Sequence, residues 1–162
     1  MKIKTRYIKY LLILIIILFS LLFIITIYTN NLNTLQNVDV IITDMAISEP
    51  KITSCKIILT VEISNPSNYE ISDLNSDFEI FLDQNYIGEG NISNISISSN
   101  SIIEEEIPIV IYYSRLADAT LNTLYNVING QKTELTVDGV IYTKIFFNLF
   151  TLYHNFSLVF EY

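Results

Sequence analysis

One histidine, one cysteine and a few clustered carboxylates are all this sequence offers to chemistry. His154 stands just before the last alternating segment. A catalytic or metal-binding role needs a partner at a defined spacing, and none is visible. Cys55 falls on the apolar side of its segment, where a small buried hydrophobe is expected. A reactive thiol needs an exposed, electropositive setting. Outside a membrane, Cys55 could instead pair with another chain. A single Cys excludes an intramolecular disulfide and any Cys-based zinc cluster, and a single His excludes two-His sites.

The carboxylates cluster twice. Glu104, Glu105 and Glu106 form the densest run, and on a strand Glu104 and Glu106 share a face while Glu105 takes the other. Two carboxylates roughly 7 Å apart could hold a divalent cation weakly, but a calcium site wants six to eight oxygens and a shaped loop. Asp77, Glu79 and Asp83 form a second acidic face. Paired carboxylates can also cleave glycosides, in deep clefts with aromatic platforms. This chain has no Trp and little length for a cleft. Solvated acidic faces are the expectation, with no catalytic residue, no metal and no cofactor. Asn91, Asn94 and Asn155 each begin an N-x-S pattern and are candidate glycosylation positions.

Two unlike segments must position these residues. The chain has 162 residues, is 51% hydrophobic with a mean hydropathy of +0.42, and still carries a net charge of −8. The length allows one ordinary domain and an appendage. Residues 10–28 are apolar except for Ser20 and Thr26, and none is charged. As a helix they span about 28 Å, close to the bilayer hydrocarbon thickness. Tyr7, Tyr10 and Tyr28 sit where interfacial aromatics belong, and Lys2, Lys4, Arg6 and Lys9 precede the run. The positive-inside rule then predicts a cytoplasmic N-terminus and an extracytoplasmic C-terminal domain. A cleaved signal peptide would have a shorter apolar run ending in small residues, and this exit has none.

The expected organisation is a basic flank and anchor over 1–29, a polar tether over 30–37 and a folded domain over 38–162. With 5 basic against 17 acidic residues, the part beyond the anchor carries −12. Such acidity argues against nucleic acid, which needs clustered Lys and Arg.

Period-2 alternation dominates from Val38 onward. Cys55, Ile57, Leu59, Val61 and Ile63 face one way while Lys56, Thr60, Glu62 and Ser64 face the other. Phe78, Ile80 and Leu82 alternate with Asp77, Glu79 and Asp83, and Phe156, Leu158, Phe160 and Tyr162 with Asn155, Ser157 and Glu161. Each pattern marks a strand with one buried face. Seven strands are predicted, over 38–48, 54–65, 73–82, 86–96, 101–113, 133–143 and 153–162. Turn residues such as Asn65-Pro66 and Ser98–Ser101 separate them. Gly88 and Gly90 predict a bulge or sharp twist, and Pro108 predicts an edge or bulge. Residues 114–129 recur at helical spacing, with Ser114 as the expected cap and Gly130 as the left-handed exit. Residues 144–152, KIFFNLFTL, read equally as a bulged strand or a buried loop. The fold class is all-β, an antiparallel β-sandwich of fibronectin III or immunoglobulin type with one helix between strands five and six.

The punctuation carries a resemblance. Asn65-Pro66 with Tyr69 and Ile71 resembles the N-P-x-x-Y/F-x-I/L signature of the late embryogenesis abundant type 2 family, also called the WHy (water stress and hypersensitive response) domain. Gly88 and Gly90 resemble that family's x-G-x-G strand, Pro108 its proline-bearing strand, and Gly139 its later glycine strand. The resemblance covers about residues 38–162. It implies a seven-stranded sandwich with one helix, commonly behind an N-terminal membrane segment, and a non-enzymatic role in desiccation or water stress. The alternative is a cell-envelope binding or scaffold module with a protein or glycan partner. A hydrolase using the Glu104–Glu106 region is a third reading.

Overall fold

The computed structural model describes residues 2–161; for residues 2–6 and Ala119 only the backbone is described. Tyr162, read as part of the last strand, lies outside the described residues. The chain divides into two compact units, one ending at Asn33 and the other running from Thr34.

The first unit is helical. Helix α1 runs Lys2–Gln36. Within it, Tyr7–Gln36 is long and apolar enough to cross a membrane. Its few polar side chains bond to the helix's own carbonyls. Ser20 donates to Ile17 O at 2.8 Å, Thr26 to Leu22 O at 2.9 Å and Thr29 to Ile25 O at 3.0 Å. Such back-bonding hides hydroxyls that a lipid environment would leave unsatisfied. Residues 30–36, expected as part of a polar tether, continue the helix through Gln36. Asn31 helps to continue the helix by donating to Ile27 O at 2.8 Å. Thr34 and Leu35 are already buried members of the second unit.

The second unit is a sandwich of seven strands: β1 Asp39–Ser48, β2 Ser54–Asn65, β3 Ile71–Leu82, β4 Asn85–Ile97, β5 Ser101–Tyr112, β6 Glu134–Ile145 and β7 Phe150–Glu161. Three form a sheet in the order β1-β2-β5, and four form a sheet in the order β4-β3-β6-β7, all neighbours antiparallel. Odd-numbered strands start at one end of the sandwich, here the near end, and even-numbered strands start at the far end. The alternation in sequence is the cause of the layering. Ile57, Leu59 and Ile63 of β2 meet Leu74, Ile80, Leu135 and Ile141 of the other sheet in a buried core. A small apolar cavity of about 20 Å³ remains between the sheets, lined by residues that include Leu59, Val61, Phe78 and Val137. Its lining also includes Asn75 and Ser76, and the buried Ser76 hydroxyl has no hydrogen-bond partner among the described residues.

Strand positions match the periodicity, with β3 and β7 starting two and three residues earlier than predicted. The helix differs. Residues Tyr113–Arg115 form one 3₁₀ turn, the chain then extends, and α2 runs Asp118–Ile128. Ala117, not Ser114, occupies the cap position, and no side chain caps it. Asp118 in the first turn complements the helix dipole instead. The exit is as predicted: Gly130 has φ +79°. The Gly130 amide donates to Val127 O at 2.9 Å and the Gln131 amide to Asn126 O at 3.0 Å, the paired bonds of a Schellman motif. Leu124 and Val127 are the buried side of α2, which links β5 to β6 across the far end.

Two hairpins turn without glycine. Asp83 and Gln84 join β3 to β4 at φ +47° and +67°. Phe146, Phe147 and Asn148 turn β6 into β7 at φ +52°, +56° and +67°. The 144–152 stretch is therefore two strand ends and an exposed tip, neither a bulged strand nor a buried loop.

Candidate functional site

The outer face of the four-stranded sheet gathers the acidic residues. Strand register places Glu89 opposite Glu79, and Glu79 opposite Asp138. Three carboxylates from three strands thus lie side by side in one exposed row. The next row reads Asn91, Asp77, Val140, Asn155 across the same four strands. A shallow, open depression is lined by Asp77, Glu79, Glu89, Asn91, Asp138 and Asn155. Like charges directly opposite one another repel, so this face costs stability unless water and counterions screen it.

Aromatic side chains border the carboxylates on both sides. Tyr142 and Tyr153 are cross-strand partners with ring centroids 5.9 Å apart. The Tyr142 hydroxyl is hydrogen-bonded to Asp77, and desolvation followed by that carboxylate's charge raises the phenol above its ordinary range. On the other side, Phe81 and Tyr86 meet edge to face at 6.0 Å.

The sequence foresaw Asp77 and Glu79 as one acidic face. It missed Glu89 and Asp138, which only the strand register brings beside them. Asp83, grouped with them in sequence, leaves the face: it sits in the β3–β4 turn and accepts from the Thr133 hydroxyl at 2.9 Å. Asn91 and Asn155 lie on the two edge strands of the acidic sheet, and Asn94 lies three residues further along β4; all three are exposed.

The remaining reactive groups stay apart. Cys55 is buried, and burial raises its thiol's pKa while the Tyr113 hydroxyl's hydrogen bond partly offsets the rise. His154 is half-buried opposite Ile141. Glu104 and Glu106 are exposed on one face of β5 and Glu105 takes the opposite face. Among the described residues, no three His, Cys, Asp or Glu side chains are placed to hold a metal.

At the near end, Asn65 is fully buried and binds two connections at once. Its Nδ2 donates to Tyr69 O at 2.8 Å, Ser98 O at 3.0 Å and Ile97 O at 3.3 Å. Its Oδ1 accepts from the Ser67 hydroxyl at 2.7 Å and the Ser67 amide at 3.1 Å. Pro66 is exposed beside it, Tyr69 is exposed, and Ile71 drops into the core. The side chain of Asn65 therefore ties the β2–β3 connection to the β4–β5 connection, joining the two sheets.

The fold of the sandwich has solved counterparts. The solution structure of AT1g01470 from Arabidopsis thaliana superimposes with a TM-score of 0.54 at 18% identity, over 76% of this chain and 80% of that one. A solution structure described as a candidate late embryogenesis abundant (LEA) protein, At2g46140.1, superimposes with a TM-score of 0.52 at 9% identity, over 85% of this chain and 76% of that one. The fold is LEA type 2-like. No protein-family model and no curated protein matches the sequence.

The glycines of the LEA-like sandwich make room for aromatic rings. Phe78 is the cross-strand partner of both Gly90 and Gly139. A Cβ on Gly90 would run into the Phe78 ring. A Cβ on Gly139 would lie 2.7 Å from the Phe156 ring, 2.7 Å from the Phe78 Cβ and 2.8 Å from the Asp77 carbonyl oxygen. Gly88 lets β4 approach β5, since its Cβ would stand 3.1 Å from Ile111 Cδ1. The predicted bulge falls between the Ile80 and Phe81 pairings, at Ile87 beside Gly88. Pro108 lies on β5, an edge strand of the three-stranded sheet, as a residue without an amide donor requires.

Proposed function

We propose that this chain is a membrane-anchored, non-enzymatic LEA type 2-like protein that protects the outer face of a membrane during water loss. The observation that carries the reading is the row Glu89, Glu79, Asp138, held in register on the outside of a LEA-like sandwich. Carboxylates kept side by side by the sheet backbone cannot separate to relieve their repulsion. They retain water and cations instead, and they repel other acidic surfaces. A sequence that accepts this cost within a domain of net charge −12 gains a permanently hydrated face. The apolar run within α1 supplies an anchor, and the basic residues before it orient the sandwich outward. The envelope is thus the proposed location, with the cytoplasm holding only the N-terminal flank.

The test compares survival after drying or osmotic shock in three strains. One lacks the gene, one carries it intact, and one carries Glu79→Gln, Glu89→Gln and Asp138→Asn together. The deletion strain is expected to survive less well, with rescue by the intact gene and weaker rescue by the neutralised one. Equal survival of the deletion and intact strains would end the stress reading.

A second reading has its own observation. The Tyr142 and Tyr153 rings lie side by side, tilted by 38°, and Tyr142 is hydrogen-bonded to Asp77; aromatic faces next to carboxylates are the chemistry of glycan contact. Recovery of an envelope glycan with the intact chain, and its loss on Tyr153→Ala, would favour a binding module.

A further inference from the structure

The β6–β7 tip is an exposed apolar feature of the sandwich. Phe147 is fully exposed, Leu149 is 75% exposed, and Phe150 is half exposed. Residues 144–152 contain no carboxylate and one cation, Lys144, within a domain of net charge −12. Such a segment is an exception to its surroundings in both hydropathy and charge.

The tip is also built rather than loose. Phe146, Phe147 and Asn148 all adopt positive φ, a conformation rare for bulky residues. Consecutive left-handed residues cost conformational energy that a buried or functional contact normally offsets. The Leu149 amide donates to Phe146 O at 3.2 Å and closes the turn. The Phe146 and Phe150 rings meet edge to face at 5.8 Å and brace its base. The result directs Phe147 and Leu149 away from the domain.

Direction within the domain decides the occupant. The tip lies at the near end, because β6 finishes there: Thr143 bonds to Ser72 O at 2.7 Å, beside the start of β3. The same end carries the first residues of the domain, with Leu35 and Val38 buried and β1 starting at Asp39. Along the chain, the apolar run therefore leads into this end of the domain.

We propose that Phe147 and Leu149 insert into the interfacial layer of the membrane that α1 spans, with Lys144 meeting anionic headgroups. This rests on the reading of α1 as an uncleaved anchor. Aromatic and aliphatic side chains gain by leaving water for that layer, and a nearby cation adds attraction to acidic lipid. The insertion fixes the sandwich to the surface at a second point besides the anchor.

The chain has no Trp, so Phe147→Trp introduces a single reporter at a position with no packing to lose. Ile52→Trp, in the exposed far-end connection between β1 and β2, is the matching control. Both full-length variants are reconstituted into liposomes containing brominated phospholipids, and resistance to alkaline extraction is measured in parallel. Phe147→Trp is expected to show blue-shifted emission, strong quenching by brominated lipid and protection from acrylamide. Ile52→Trp is expected to show none of these. If Phe147→Trp resists both quenchers, a second copy of the chain covers the tip and the proposal fails. If acrylamide alone quenches it, the tip is in water and the proposal fails. In both cases, resistance to alkaline extraction leaves the anchor reading intact. Release of the chain by alkali overturns the anchor and the tip proposal together.

Discussion

The Phe78 ring occupies the space that a side chain on Gly90 would need. The two residues are direct cross-strand partners on β3 and β4, and the ring is buried there. Gly90→Ala must displace the ring or part the strands. Overpacking of this kind costs about 1–3 kcal/mol. Urea denaturation should show the loss, and Phe78→Leu in the same chain should recover part of it. Gly139→Ala should cost more, since one of its obstacles is the Asp77 backbone, which cannot rotate aside.

Asn65 predicts a loss of a different kind. Asn65→Ala leaves the Tyr69, Ile97 and Ser98 carbonyls without their shared donor, in a buried place. An unsatisfied buried polar group costs about 1–3 kcal/mol, so the variant should be destabilised by about 3 kcal/mol. Asn65→Asp should be worse above the carboxylate range, because it sets a charge against three carbonyls. A thermal melt of both variants checks the order.

Glu79 stands between two like charges. Glu79→Gln should raise stability by about 0.5 kcal/mol at low salt. The gain should shrink as salt screens the row in the parent protein. A melting series across ionic strength measures both effects. A parent whose stability ignores salt would contradict the repulsion inferred from the register.

The buried thiol sets an alkaline limit. Burial raises Cys55 above its ordinary pKa of 9.0, so the folded state disfavours the thiolate. Tyr113 is raised above 10.0 by burial and by Cys55. Well below pH 9 both groups are neutral in either state, and their contribution to stability is complete. As pH climbs through the ordinary values toward the raised ones, only the unfolded chain ionises, and stability falls. Cys55→Ala should flatten that decline in denaturation midpoints measured from pH 8 to 11. At pH 8, an aromatic disulfide reagent should label the native thiol only as fast as the domain opens.

Much of the fold was legible because each strand is a local pattern. The alternation of Cys55, Ile57, Leu59, Val61 and Ile63 marks β2 without reference to any other residue. Gly130 likewise announces the end of α2. The start of α2 was not legible, because Ser114 looks like a cap while the chain stays extended at Leu116 and Ala117. The β6–β7 turn was hidden for the opposite reason: its left-handed positions hold Phe and Asn, and no Gly or Pro marks them. The acidic row was half visible. Asp77 and Glu79 are neighbours along one strand, whereas Glu89 and Asp138 join them only through pairing between segments far apart in sequence.

The order of the strands also has a mechanical side. β1 begins at the near end, and β7 finishes at the far end. A pull between Asp39 and the C-terminal strand would run along the strand axes. The β1–β2 ladder, from Asp39↔Ser64 to Ser48↔Lys56, would then be loaded in shear, with its bonds sharing the force, and would not unzip one bond at a time. A sandwich threaded this way can bear tension through its first strand as a tie-rod does.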